Sequence, residues 1–258
     1  MAQSTVSWLL GAATVQFIGL LIAISGWRYI LLSFGVQIPL RQHFKIYTIS
    51  ILTRRLPGIG LDILSRTYLY KQKGFAEKQI SVIALTEMVI FGLSGAVLTI
   101  LISLFAARFD NYTTILLMLA VLVLFGVLIA SSPFQWFLVW LNQGNDTVAM
   151  LKCHYFYNWI AINVLTVFLG GLTIAFLAFA LGYTSPDLIL TIVQAWAITV
   201  GVGVLFFWVP GGSVFVNGVL LLALSTSLTT TEALTLLILF RVWVILAEVL
   251  WGTLGLFL

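Results

Sequence analysis

Charge is scarce in this sequence: Asp, Glu, Lys and Arg together make up 8% of its 258 residues, against about a quarter in soluble domains. That is too little to cover the surface of a water-soluble globule. Cysteine is scarcer still. Cys153 is the only one, which excludes intramolecular disulfides, cysteine-rich zinc sites and an iron–sulfur cluster held by this chain alone. The two histidines, His43 and His154, are far apart in the chain. Neither has a carboxylate at metal-ligand spacing, although Cys153 adjoins His154, so both read as interfacial residues and not as metal ligands. No Walker loop, no paired-aspartate glycosyltransferase motif and no serine–histidine arrangement is present. Neither a cofactor nor catalysis is therefore expected.

Apolar residues are what the chain has. They make up 62% of it, with a mean hydropathy of +1.15 and nine tryptophans. Uncharged runs cover residues 1–27, 88–107, 111–145, 153–186 and 188–231, each at or beyond the roughly 20 residues a helix needs to cross the hydrocarbon core. Blocks such as "TTILLMLAVLVLFGVLIA" are apolar on every face and lack the alternation of a membrane β-strand. An open sheet would leave backbone groups unpaired in lipid. The expectation is an all-α, polytopic membrane protein forming a single domain over 1–258, its N-terminus a retained first span and not a signal peptide.

The net charge of +4 does not point to nucleic acid, because nine of the twelve basic residues lie between Arg28 and Lys78. In a membrane protein that clustering marks the cytoplasmic side. The first span is expected at about 6–27. Further spans follow at about 80–107, 113–131, 153–181 and 232–257, with Trp136 and Trp140 in an interfacial belt.

Two apolar stretches are interrupted by proline and glycine. "IYTISILT" ends at "RRLPG", where Pro57 should break the helix near Leu56, and a new helix can start between Gly58 and Asp62. The run 188–231 is broken at "WVPGGSVFVNG" and reads as two short helices. Both segments, about 38–74 and 188–226, are expected to be re-entrant hairpins. Counting crossings, they enter from opposite faces, as in inverted-topology repeats that meet at a transport site near the midplane.

Helix ends exposed at Pro57 and Pro210 offer N–H donors to an anion, and Arg54, Arg55 and Arg66 add guanidinium forks suited to phosphate. Asp62 lies one turn before Arg66 and can hold it. Alternatively, Arg54 and Arg55 are ordinary interfacial anchors. The matching Pro-Gly-Gly at 210–212 favours the anion site. Lys71, Lys73 and Lys78 read as surface anchors. Glu87, Arg241 and Glu248 fall in or near spans, where an unpaired charge is costly. Arg241 and Glu248 are seven apart and share a helical face. They either tie the last helix to the bundle or line a polar path for a headgroup. The structural account suits Glu248 better, and the functional one Arg241.

Several segments in order, "WRYILLSFGVQIPLRQHFKIY", "RRLPGIGLDILSRTYLYKQKGF", "ALTEMVIFGLSGAV", "VPGGSVFVNGVLLLAL" and "LLILFRVWVILAEVLWG", resemble the flippase-like transmembrane domain of lysylphosphatidylglycerol synthases and its stand-alone relatives. The resemblance implies movement of an anionic or sugar-bearing lipid between leaflets. It implies a site that includes Arg55, Pro57, Gly58, Arg66, Glu87, Pro210, Gly211, Gly212 and Arg241. The chain departs from that family after Pro-Gly-Gly: where relatives carry a further glycine and an Arg-Glu pair it has Val214, Val216 and Asn217. Against that family a first span is expected to be missing, and without an aminoacyl-transferase domain lysine transfer to lipid is not expected.

The leading expectation is thus a lipid flippase-like transporter of the cell membrane whose partners are anionic or polyprenyl-phosphate lipids, with a homo-oligomer as a further option. The alternatives are an integral-membrane enzyme using Asp62 or Glu87 as base, and a scaffold for a biosynthetic enzyme.

Overall fold

A computed structural model of the chain describes residues 2–53, 60–105, 153–206, 209 and 212–257. All regular structure among them is helical: α1 (Ala2–Ser33), α2 (Leu40–Thr53), α3 (Leu61–Lys71), α4 (Glu77–Phe105), α5 (Cys153–Ala180), α6 (Pro186–Phe206), α7 (Gly212–Leu224) and α8 (Thr230–Phe257). Five of these, α1, α4, α5, α6 and α8, are long and apolar enough to cross a membrane. The chain is on that ground a multi-pass membrane protein. The expected span at about 113–131, the tryptophan-bearing connection after it, and Arg54, Arg55, Pro57, Gly58, Pro210 and Gly211 lie outside the described residues.

Two boundaries differ from those expected. The first helix continues past Arg28 to Ser33 because Trp27, Ile30 and Leu31 are buried in the bundle core, 1%, 0% and 1% exposed. The second correction is larger. The run before Pro210 is not a short helix: α6 has 21 residues, about 31 Å at 1.5 Å per residue, enough for a full crossing. Pro186 at its first position and Asp187 in its first turn start it at a favourable terminus, and no proline interrupts it before Phe206. Only α7, with 13 residues, is short. At the start of α8, Thr229 and Glu232 form a reciprocal cap: the Thr229 N–H donates to the carboxylate at 2.9 Å and the Glu232 N–H to the threonine hydroxyl at 3.4 Å.

Lipid tails are as apolar as leucine, so helices in a bilayer associate through close packing, not through hydrophobic burial. The sequence supplies small residues where that packing is tightest. Gly11, Gly19 and Gly26 of α1 face Phe176, Leu169 and Ile162 of α5, so the two helices run antiparallel. A Cβ on Gly95 of α4 would lie 2.6 Å from the Ala197 carbonyl oxygen of α6. Gly252 and Gly255 of α8 receive the side chains of Leu52 and Thr48 of α2, again antiparallel. The outer faces are apolar too, with Leu10 and Phe17 of α1 and Ile238, Leu246 and Leu250 of α8 exposed. Lipid is their solvent.

These pairings fix the helix directions. The ends of α1, α3 and α8 and the starts of α2, α4 and α5 share one end of the bundle, where Gln79 also donates to the Phe34 carbonyl at 3.0 Å. The α2/α3 pair therefore has its termini at that end, whereas the α6/α7 pair has its termini at the other. Arg28, Arg41, Lys45, Lys71, Lys73 and Lys78 cluster at the first end, and Asp187 and Glu232 stand at the far end.

Candidate functional site

The first cluster is built on α3. Gly60 begins this helix in the left-handed region, φ 65°, which a side chain would disfavour. At the other end Gly74, φ 90°, lets the chain turn, with the Phe75 N–H donating to the Tyr70 carbonyl. Between these ends the helix directs Arg66 inward, where it is 3% exposed. Its Nη1 lies 2.5 Å from Oε2 of Glu87 on α4, and its Nε donates to the Ser50 hydroxyl on α2 at 3.1 Å. The guanidinium plane is covered by the Tyr47 ring at 4.5 Å and the Trp27 ring at 4.9 Å, both favourable cation–π partners. Asp62 adds a further attractive charge.

Behind this cation lies a second layer that the sequence reading missed. The indole N–H of Trp27 donates to the Tyr70 oxygen at 3.1 Å, and the Tyr70 hydroxyl is 3.0 Å from His43 Nδ1. His43 Nε2 is 2.9 Å from the Ile24 carbonyl oxygen. A carbonyl only accepts, so Nε2 carries the proton and Nδ1 accepts from Tyr70. His43 is fully buried, which corrects its reading as an interfacial residue. The signal was available: His43, Tyr47 and Ser50 recur at 4 and 3 residues and share one face of α2, as Arg66 and Tyr70 share one face of α3. What the sequence could not supply was that both faces turn toward α1.

The second cluster joins α7 and α8. Arg241 donates through Nη2 to the side-chain oxygen of Asn217, and both residues are half-buried. Gly212 starts α7 so close to the Phe206 carbonyl that a Cβ would overlap it. Glu248 is buried, 8% exposed, one turn before Gly252 and thus on the side of α8 that packs against α2. Arg241 and Glu248 share this face of α8 at different heights: Arg241 meets Asn217 of α7, and Glu248 lies where α8 packs against α2. Lys71, Lys73 and Lys78 are exposed at the basic end. There Lys71 pairs with Glu77 at 2.5 Å, and that carboxylate raises the lysine's pKa.

The two clusters correspond in register. Arg66 is the sixth residue of α3 and meets the eleventh of α4. Asn217 is the sixth of α7 and meets the twelfth of α8. Five residues connect the helices in each case, 72–76 and 225–229. Glu87 and Arg241 each lie about 15 Å from the start of their helix, near the middle of a span. Compared with models of known protein families, with curated proteins and with solved structures, the chain shows no significant match.

Proposed function

We propose that the protein moves, or helps to move, an anionic lipid between the leaflets of the cell membrane, the substrate being a phospholipid or a polyprenyl-phosphate-linked lipid. In this reading α2/α3 and α6/α7 are the arms of two inverted repeats. The observation that carries it is that the Arg66–Glu87 and Asn217–Arg241 contacts, on helix pairs of opposite direction, agree in register to within one residue. Inverted repeats place a substrate site at the midplane and expose it alternately by rocking one half against the other. The length of α6 means that the second arm pairs a longer helix with a short one and not two short helices.

Arginine is the residue type for such a task, because its fork of donors matches a phosphate. Arg241, half-buried and held by a neutral amide, suits exchange with a headgroup better than Arg66. The latter is sealed by a carboxylate and two rings, so it holds α3 against α4. With Glu87 engaged in that pair, the enzyme alternative loses one of its two candidate bases. The basic end faces the cytoplasm in this reading, by the usual bias of Lys and Arg.

Reconstitution into liposomes with headgroup-labelled lipids tests it. Inner-leaflet label becomes accessible to an impermeant quencher only with protein present, and Arg241→Ala abolishes that access while the variant remains folded. Absence of movement across a panel of anionic and polyprenyl-phosphate lipids sinks the proposal for those substrates. Formation of a modified lipid without movement favours the enzyme.

A further inference from the structure

On the outer side of the seam between α3 and α4 lies an open groove of about 580 Å³. Its lining changes with depth. Tyr68, Glu77 and Lys78 form the mouth at the basic end of the bundle. Next come the hydroxyls of Thr67 and Ser81, 3.2 Å apart. The innermost part is apolar, made by Leu64 of α3 and Leu85 of α4. Lys78 and Leu85 are seven residues apart on α4, so the change from charge to hydrocarbon takes about 10 Å along the helix axis.

That order is the order of groups in a glycerophospholipid lying in one leaflet: phosphate, ester oxygens, acyl chain. The charge at the mouth is complementary to phosphate. Lys78 lines the mouth, Lys71 engages the carboxylate of Glu77 at 2.5 Å, and Lys73 is exposed nearby, just past the end of α3. Leu64 and Tyr68, each 59% exposed, form the outer wall of the groove and are not covered by another of the described helices. A water-soluble phosphate ester would have no use for the apolar half.

We infer that this groove is a binding site for one anionic phospholipid of the leaflet at the basic end, with its phosphate at Lys78, its ester region at Thr67 and Ser81 and one acyl chain along Leu64 and Leu85. The site requires no transport and goes beyond the transport reading. The seam it occupies is nevertheless the one closed further in by Arg66 and Glu87, so a bound lipid also fills the outside of that junction.

The test is photolabelling of the full chain in nanodiscs with a phosphatidylglycerol that carries a diazirine in its acyl chain, followed by peptide mapping. Label is expected on Leu64, Val82 or Leu85. A phosphatidylcholine probe with the same chain should label these positions several-fold less. One lysine near a phosphate is worth about fivefold in affinity, so Lys78→Glu should cut the labelling by at least that factor. Ser81→Trp, which fills the middle of the groove, should remove it. Lys78 is exposed, so its substitution keeps the test valid where Ser81→Trp disturbs folding. Equal labelling by the two probes, or labelling unchanged in Lys78→Glu, overturns the site in favour of an ordinary lipid annulus. Competition by glycerol 3-phosphate overturns it in favour of a soluble anion site. Groove labelling in a protein that moves no lipid leaves this site standing and removes the transport proposal alone, whereas movement without groove labelling does the reverse.

Discussion

In α3 the guanidinium of Arg66 is 3% exposed, bonded to a carboxylate and a hydroxyl and covered by two aromatic rings, whereas in α8 that of Arg241 is half-buried and bonded to the neutral amide of Asn217. The contacts occupy equivalent positions on helix pairs of opposite direction, yet the arginine sits on the short helix in one and on the following span in the other. The difference separates two uses of one residue type. A buried charge needs an opposite charge and full hydrogen bonding to be tolerated, and once it has them it is committed to structure. A hydrogen bond to a neutral amide gives up less when it is exchanged for another than one to a carboxylate does. In the proposed transport cycle the first cluster is accordingly the clamp and the second the responsive half.

Substitutions can break this contrast. The largest effect is expected from Glu87→Gln, which leaves Arg66 buried beside a neutral group. Losing one partner of a buried pair costs about 3–5 kcal/mol, visible as a large fall in melting temperature in detergent. Replacing both Arg66 and Glu87 by methionine should restore most of that stability, because an apolar pair of similar volume is nearly neutral. A double variant as unstable as Glu87→Gln contradicts the clamp.

Tyr70→Phe comes next. It leaves the Trp27 N–H and His43 Nδ1 without the hydroxyl that joins them, at about 1–3 kcal/mol. Thermal melts of this variant should fall between those of Glu87→Gln and wild type, and an unchanged melt removes the second layer from the argument. For the other cluster, Asn217→Ala should cost only about 1 kcal/mol. Asn217→Asp gives α7 the carboxylate that α4 already has, and is expected to raise the melting temperature while slowing lipid movement in liposomes. Faster movement in that variant inverts the roles assigned to the clusters. Lys71→Ala, at an exposed ion pair whose side chains are 58% and 53% accessible, should leave the melt unchanged, since surface pairs contribute little.

Long apolar runs placed α4, α5 and α8 within a few residues of where they lie, and α1 with its end six residues short, since length and hydropathy alone decide whether a segment can cross lipid. Asp62 and Arg66 also came from local spacing. His43 was misread because a single histidine next to basic residues carries the same local pattern at an interface as in a core. Its partners, Ile24 and Tyr70, stand 19 and 27 positions away on other helices. The length of α6 was misread because its end was read from Pro210 without its opening at Pro186, so the helix seemed shorter than its 21 residues.

Composition and periodicity thus determined by themselves that the chain is a helical membrane protein with a cluster of basic residues at one end, because these depend on how each segment partitions between water and lipid. That Arg66 is sealed was decided only when α1, α2, α3 and α4 came together. Glu87 neutralises Arg66 across 21 residues of sequence, and no property of either residue's own helix selects the other. Burial by neighbouring helices does that, by making an unpaired charge too costly to leave.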